Sequence, residues 1–335
     1  MTEKIAVVIL NWNGKSFLEQ FLPSVTKYSE NARVIVADNN STDDSISFLE
    51  KNYPNVTLLI LDKNYGFAGG YNKALKQIDS EYYVLLNSDV EVTEHWLTPM
   101  IKLLENDKTI TACQPKIKAY HQKSHFEYAG ASGGFIDKYG YPFCRGRVFE
   151  TLEKDSQQHD TVEEIFWASG ASLFIRAKDY HDIGGLDEFF FAHMEEIDLC
   201  WRLKNIGKKI MVCPSSTVYH VGGGTLNKVK PQKTFLNFRN SLLTLHKNLP
   251  KNKRFFIIVI RLLLDGLAGI KFLLSLQPSH TWAIIRAHFS FYGAIKQNNV
   301  KRQEIKTANL KGIIDKSVVL EYFLRKKKTY NEVIK

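Results

Sequence analysis

Four short apolar runs, each broken off by a loop of Asn, Asp, Ser or Gly, fill the first ninety residues of this chain and leave it little choice of fold. Ile5 to Leu10 stops at Asn11-Trp12-Asn13-Gly14, and Arg33 to Ala37 stops at Asp38-Asn39-Asn40-Ser41-Thr42-Asp43. Val56 to Leu61 is followed by Asn64-Tyr65-Gly66-Phe67-Ala68-Gly69-Gly70, and Tyr82 to Leu86 stops at Asn87-Ser88-Asp89. Continuous β-branched and aliphatic runs suit strands buried on both faces, and helix-like stretches from Ser16 and Tyr71 lie between them. The alternation predicts an α/β protein with a mostly parallel, doubly wound sheet. Ligands of such sheets bind at the polar loops off the carboxyl ends of the strands.

Beyond Ile110 the pattern loosens, and residues 120–160 read as a loop-rich insertion or a hairpin. Order returns at Ile165 to Ile175, at Ile183 to Asp187 and at a helical stretch from Glu195 to Leu203. Cys113, Cys144, Cys200 and Cys213 have neither CxxC spacing nor a regular framework, so no zinc site or disulfide core is expected and a reducing compartment is the simplest setting. The run from Ile5 to Leu10 is too short for a signal-peptide core, so the chain is expected to fold in the cytoplasm.

Several loops carry chemistry, each beside a plainer reading. Asn64-x-Gly66-x-x-Gly69-Gly70 could cradle phosphate but lacks the GxGxxG and GK[ST] spacings. Asp38 is either a helix cap or a ligand. Asp89, at the end of an apolar strand with no basic neighbour in sequence, suits Mg²⁺ or Mn²⁺ and through it a nucleoside diphosphate, or it simply forms a turn. Glu195, Glu196 and Asp198 crowd three carboxylates into four residues beside large apolar groups, which should raise at least one pKa and make a general base, unless they only complement a helix dipole. His220, at the end of a β-like run that leads into Gly222-Gly223-Gly224, is structural or a metal ligand.

The net charge of +10 conceals two unlike parts: −7 up to residue 227 and +17 from Lys228 onward. In the basic part, Phe255 to Leu276 is apolar except for Arg261, Asp265 and Lys271, which on a helix fall with Arg254 and Ser275 in an arc of roughly 120°. Charges inside the segment argue against a spanning helix, and a broad apolar face with a basic stripe predicts a helix lying on an anionic membrane surface; packing against the body is the other reading. Trp282 to Ile295 and Arg325-Lys326-Lys327-Lys328 extend this region. Nucleic acid is not an expected partner, because the body is acidic and the basic residues interleave with aliphatic ones.

Taken as a set, Val7 to Gly14, Val36 to Asp43, Asn64 to Asn72, Leu85 to Asp89, Ser169-Gly170-Ala171, Gly184 to Asp187, Glu195 to Arg202 and His220 resemble glycosyltransferase family 2, and within it the bacterial rhamnosyltransferase-like branch. The resemblance covers about residues 4–226. It implies a GT-A catalytic domain over residues 1–226, with a nucleotide-sugar half to about 110 and an acceptor half from 111, followed by a basic, amphipathic helical membrane-associating region over 227–335. It implies an inverting, nonprocessive transfer of one sugar from a nucleoside-diphosphate sugar, dTDP-rhamnose or a UDP-hexose, to a saccharide hydroxyl. The QxxRW motif of processive synthases is absent, and a polyprenyl-linked acceptor at the inner face of the plasma membrane is expected. Leu10, Trp12, Asp38 and Asn39 would line the nucleoside pocket, and Asn64, Gly66 and Asn72 would face the ribose and diphosphate. Asn87, Ser88 and Asp89 stand at the DxD motif, with Asp89 and His220 as ligands of Mg²⁺ or Mn²⁺. Trp167, Gly170 and Trp201 would meet the acceptor, and Glu196 would be the base, with Glu195 as the alternative. The first DxD acid is Asn87 here, and the base position holds Glu instead of Asp. The competing expectations are a sugar-nucleotide pyrophosphorylase, whose GxGxR signature is missing, and a non-catalytic glycan-binding protein of the same fold.

Overall fold

The computed structural model describes residues 3–222, 230–307 and 310–335. The four apolar runs form strands β1 (Ile5–Asn11), β2 (Arg33–Asp38), β3 (Thr57–Ile60) and β4 (Tyr82–Asn87), all parallel, in the order β3-β2-β1-β4. Helices α1 (Lys15–Tyr28), α2 (Ser45–Asn52) and α3 (Gly66–Leu75) connect them, α3 starting five residues earlier than the sequence suggests. Strand alternation sorts the core into two layers. Ile5, Val7 and Ile9 of β1 and Val84 and Leu86 of β4 face α1 and α2, whereas Ala6, Val8, Tyr83 and Leu85 face α3.

Beyond β4 the sheet is mixed, which corrects the expectation of a mostly parallel one. The chain adds β5 (Val90–Val92), α4 (Leu97–Asn106) and β6 (Ile110–Ala119), then, after an excursion, β11 (Glu163–Ile165), β12 (Ser172–Arg176), α5 (Ala177–Asp182), α6 (Glu195–Asn205) and β13 (Lys209–His220). β12 lies antiparallel between β4 and β6, and β13 runs parallel to β6 but antiparallel to β5 and β11. The excursion is the stretch read as a loop or hairpin. It is a second, small sheet of β7 (Gly134–Asp137), β8 (Pro142–Cys144), β9 (Arg147–Val148) and β10 (Thr151–Leu152), with β14 (Ile313–Ile314) paired to β7. Strands of two to four residues carry too few alternating positions to register as a period. All four cysteines are free and buried.

The C-terminal region forms α7 (Pro231–Asn248), α8 (Lys251–Leu274), α9 (Pro278–Val300) and α10 (Tyr330–Ile334). Leu242, Leu243 and Leu245 of α7 and Phe291 of α9 join the same core as α3 and α6. Much of its basic charge is used internally: Lys247, 2% exposed at its side chain, bridges Asp187 and Asp198 at 2.6 and 2.8 Å. Arg302 donates to the carbonyls of His246, Lys247 and Leu249 at the end of α7. The boundary expected at 226/227, the sign change at Lys228 and the last two glycines of the His220 motif lie outside the described residues.

The polar stripe of α8 is divided between the body and the surface. Arg261 and Asp265 are buried, Arg261 donating to the Tyr139 carbonyl and Ser241 Oγ, while Lys271 and Ser275 are exposed; Ile257, Ile258 and Leu262 pack against the core, and Phe255, Phe256, Leu263 and Leu274 face out. The hydroxyl and carbonyl partners offered by 139–141 and α7 are what allow these two charged residues to be buried here. Among the described residues no helix is long and apolar enough to cross a membrane.

Candidate active site

Strand register brings the polar loops together: Asn11 of β1 lies beside Asp38 of β2, and Leu10 beside Asn87 of β4. Asp38 is fully buried, its carboxylate accepting from Asn11 Nδ2 at 2.9 Å and from the Ser41 amide and hydroxyl at 2.8 and 2.7 Å. Asn39 joins two loops, its Nδ2 donating to Asn64 Oδ1 and the Gly66 carbonyl at 3.0 Å while its Oδ1 accepts from the Tyr65 amide. Leu10 closes against α3 at Gly70, where a Cβ would lie 2.8 Å from the leucine methyls. Trp12, 46% exposed, stands on the loop after β1.

Asn72 departs from this group. Its amide donates to the Leu186 carbonyl and Glu188 at 2.8 and 3.1 Å, and its oxygen accepts from the Tyr180 hydroxyl and the Leu186 amide at 2.6 and 3.0 Å. All its bonding positions are taken by the protein, so it ties α3 to the 186–188 turn instead of facing a donor.

The antiparallel pairing of β13 with β5 sets His220 opposite Val90 and so delivers its ring to Asp89. His220 Nε2 is 3.1 Å from Asp89 Oδ1, and Nδ1 is 3.3 Å from Glu127 Oε2, with all three side chains buried. Asn87 Nδ2 approaches the same Nε2 at 3.4 Å, and Ser88 faces Gly14. Burial alone would lower the His220 pKa, but Glu127 and Asp89 push it up to about 10. Burial likewise opposes the Asp89 charge, and the facing imidazolium and the Gly222 amide still hold its carboxyl below the usual range. Glu127 carries no motif and was not found by sequence reasoning; its place follows from the loop after β6, where its amide bonds back to Ile117.

Among the described residues no three or more His, Cys, Asp and Glu side chains form a ready metal cluster. The donor set nevertheless fits a divalent cation. Asp89 Oδ1 and His220 Nε2 converge, a cation would take the place of the Nε2 proton between them, and a carboxylate behind the other ring nitrogen is the usual support of a metal-bound imidazole. Two protein ligands leave positions for phosphate oxygens, as Mg²⁺ sites for nucleotides do.

Glu195 and Glu196 open α6 behind Met194, a non-glycine residue at φ 73°. Each has a buried Oε2 with no hydrogen-bond partner. Burial pushes Glu196 up to about 7, and burial together with the Glu196 charge holds Glu195 well above the ordinary carboxylate range. Glu196 therefore exchanges its proton near neutral pH, and burial favours the protonated form of Glu195. Gly170 connects this pair to the strand ends: the Asn87 amide donates to the Ala171 carbonyl, and a Cβ on Gly170 would lie 3.3 Å from the Phe67 ring and 3.8 Å from Glu196 Cβ. Trp167 and Trp201 do not join it. Both are buried in the core, Trp167 over Gly134 with Nε1 donating to the Phe135 carbonyl, and Trp201 edge-on to Phe166, so neither offers a ring to an acceptor.

The family model for glycosyl transferase family 2 matches residues 6–172, which hold the four parallel strands, their polar loops and Asp89. The chain belongs to glycosyl transferase family 2. It is 25% identical over 236 residues, 66% of this chain and 76% of the relative, to the N-acetylglucosaminyl-diphospho-decaprenol L-rhamnosyltransferase of Mycobacterium tuberculosis. Its GT-A-like fold is shared with S. aureus TarS 1-349 in complex with UDP-GlcNAc, at TM-score 0.57 and 16% identity, covering 89% of this chain and 84% of that one. It is also shared with the mannosyltransferase PcManGT from Pyrobaculum calidifontis in complex with GDP-Man and Mn²⁺, at TM-score 0.52 and 13% identity, covering 90% and 88%. This family 2 glycosyltransferase thus keeps the mixed sheet of its structural neighbours, some of which hold a nucleotide sugar and Mn²⁺.

Proposed function

We propose that this glycosyltransferase moves one sugar, with inversion, from dTDP-rhamnose or a UDP-hexose to a hydroxyl of a polyprenyl-linked saccharide in cell-surface polysaccharide synthesis. The observation that carries the reading is Glu196: a half-buried carboxylate with one buried, unpartnered oxygen and a pKa of about 7, next to Gly170 and Phe67 on the side of the strand ends. Glu196 takes the proton of the acceptor hydroxyl as its oxygen bonds to the anomeric carbon, and the bond from that carbon to the diphosphate breaks on the opposite face. Glu195, whose protonated form burial favours, can donate a hydrogen bond beside it. Asp38, Asn39 and Asn64 shape the nucleoside corner, with Leu10 and Trp12 as its apolar wall. Asp89 and His220 would hold Mg²⁺ or Mn²⁺, which supplies positive charge for the departing nucleoside diphosphate. The decaprenol in the relative's name and the bound UDP-sugar of a neighbour support the acceptor and donor classes.

The test is nucleoside diphosphate release from a panel of nucleotide sugars with Mg²⁺ or Mn²⁺. Asp89→Asn is expected to cut the rate by at least about a hundredfold with the fold unchanged by circular dichroism. Wild type that releases nothing from any panel member in either metal would favour a non-catalytic binding protein.

The exposed face of α8 and α9 supports attachment to an anionic membrane at the cytoplasmic face. Phe255, Phe256, Leu263 and Leu274 are 70%, 69%, 67% and 79% exposed, and Trp282 and Phe289 are exposed on α9. Lys251, Lys253 and Lys271 are exposed on the same helix, whose one acidic residue, Asp265, is buried. An apolar face rimmed by cations matches anionic lipid. Phe255→Ser combined with Phe256→Ser is expected to lower binding to phosphatidylglycerol vesicles about tenfold or more in flotation. Wild type that stays unbound at low salt would remove the membrane from the reading.

A further inference from the structure

The loop that leads into Glu195 is held in a costly conformation by α7. Phe191, His193 and Met194 have φ of 65°, 68° and 73°, a left-handed geometry that non-glycine residues adopt only where their surroundings impose it. Met194 gives α6 no side-chain cap, so the positions of Glu195 and Glu196 depend on how the loop is fixed.

The fixing comes from two adjacent residues of α7. Asn240 is fully buried, and its Nδ2 lies 3.1, 2.9 and 2.8 Å from the carbonyl oxygens of Phe190, Ala192 and His193. Arg239 Nε donates to Asn240 Oδ1 at 2.9 Å, which sets the amide with its nitrogen toward the loop. The Arg239 NH2 donates to the carbonyls of Phe189 and Phe190 at 3.1 and 3.2 Å. The loop also backs the nucleotide corner. The Phe67 amide donates to the Phe191 carbonyl at 3.0 Å, and a Cβ on Gly66 would lie 2.6 Å from the Phe191 ring.

We propose that Asn240, oriented by Arg239, is a positioning residue for glycosyl transfer: it holds the left-handed loop 190–194 and thereby sets where Glu196 meets the acceptor hydroxyl. This rests on Glu196 as the base. A helix from the C-terminal region is then part of the catalytic apparatus.

The substitution Asn240→Asp keeps the size but replaces the donor with a carboxylate facing three carbonyl oxygens. With the panel nucleotide sugar that wild type turns over best, its kcat is expected to fall about thirtyfold or more. Binding of UDP or dTDP by calorimetry should change less than about threefold, and the acid limb of the kcat profile near pH 7 should move. Hydrogen exchange should quicken in peptides spanning 189–199 and stay unchanged in α1 and α2. Should Asn240→Asp fail to fold, Arg239→Gln, which frees the amide to turn over, is expected to give the same pattern at smaller size. Faster exchange in 189–199 with kcat and pH profile kept would overturn the proposal, as would unchanged exchange or equal loss of kcat and nucleotide binding. Glu196→Gln in the same assay separates the cases: full activity there fails the base assignment, whereas its collapse beside an unaffected Asn240→Asp fails only the positioning role.

Discussion

Glu196→Gln is expected to lower kcat by about a thousandfold, the scale of a lost general base. The amide keeps the shape of the side chain and cannot take a proton. In wild type the rate should rise from acid to neutral pH and level off above about pH 7, where Glu196 is ionised, and the variant should lose that limb. Glu195→Gln should cost far less, because Gln reproduces the protonated form that burial favours at Glu195. A stability effect of opposite sign accompanies the loss. The folded pKa of Glu196, about 7, lies above its ordinary 4.5, so folding favours the proton. The group's favourable contribution is full below the ordinary pKa and lost as pH rises through 7. Glu196→Gln should therefore melt higher than wild type at pH 8, with no such gain at pH 4. Full activity in Glu196→Gln together with collapse in Glu195→Gln would exchange the two roles.

The parallel half and its loops were legible in the sequence because each of β1, β2 and β4 is long enough to show a buried run and ends on a polar loop. Asp38, Asn39 and Asp89 follow from that directly. The antiparallel strands were not legible: β12 looks like the other apolar runs, and direction is set by what it pairs with, not by its composition. Glu127 was invisible for a similar reason, since a carboxylate in an irregular stretch acquires meaning only when a strand from nearly a hundred residues later brings His220 to it. Trp167 and Trp201 show the converse error, in which aromatic residues beside motifs were read as facing a ligand when their rings complete the core. Charge misled most at the C-terminus. Counting Lys and Arg cannot separate Lys247, enclosed by two carboxylates, from the exposed Lys251 four positions on.

Lys247→Met should be the most destabilising single change at the junction of α7 with the catalytic body. Lys247 Nζ sits between Asp187 and Asp198, and each carboxylate has a second cation: Lys301 for Asp187, and Arg202 Nε at 2.8 Å for Asp198. Asn248 Nδ2 donates to the other Asp198 oxygen, at 2.8 Å. Removing the shared cation leaves two dehydrated carboxylates with one cation each, and breaking a buried pair in this way costs about 3–5 kcal/mol. The surviving partners place the expected loss near the lower end, about 3 kcal/mol by urea unfolding. Pairing Lys247→Met with Asp198→Asn should cost less than the sum of the single changes, because the second removes a charge that the first strands. The pH dependence has a definite sign. Burial would raise the Asp187 pKa, but Lys247 and Lys301 bring it down to about 2. That stabilisation is present above the ordinary pKa of 3.8 and lost as pH falls toward 2, so wild type and Lys247→Met should converge in stability on acidification. Strict additivity of the two substitutions, or a gap that widens below pH 4, would mean that Lys247 supports α7 by packing its stem and not by holding the two carboxylates.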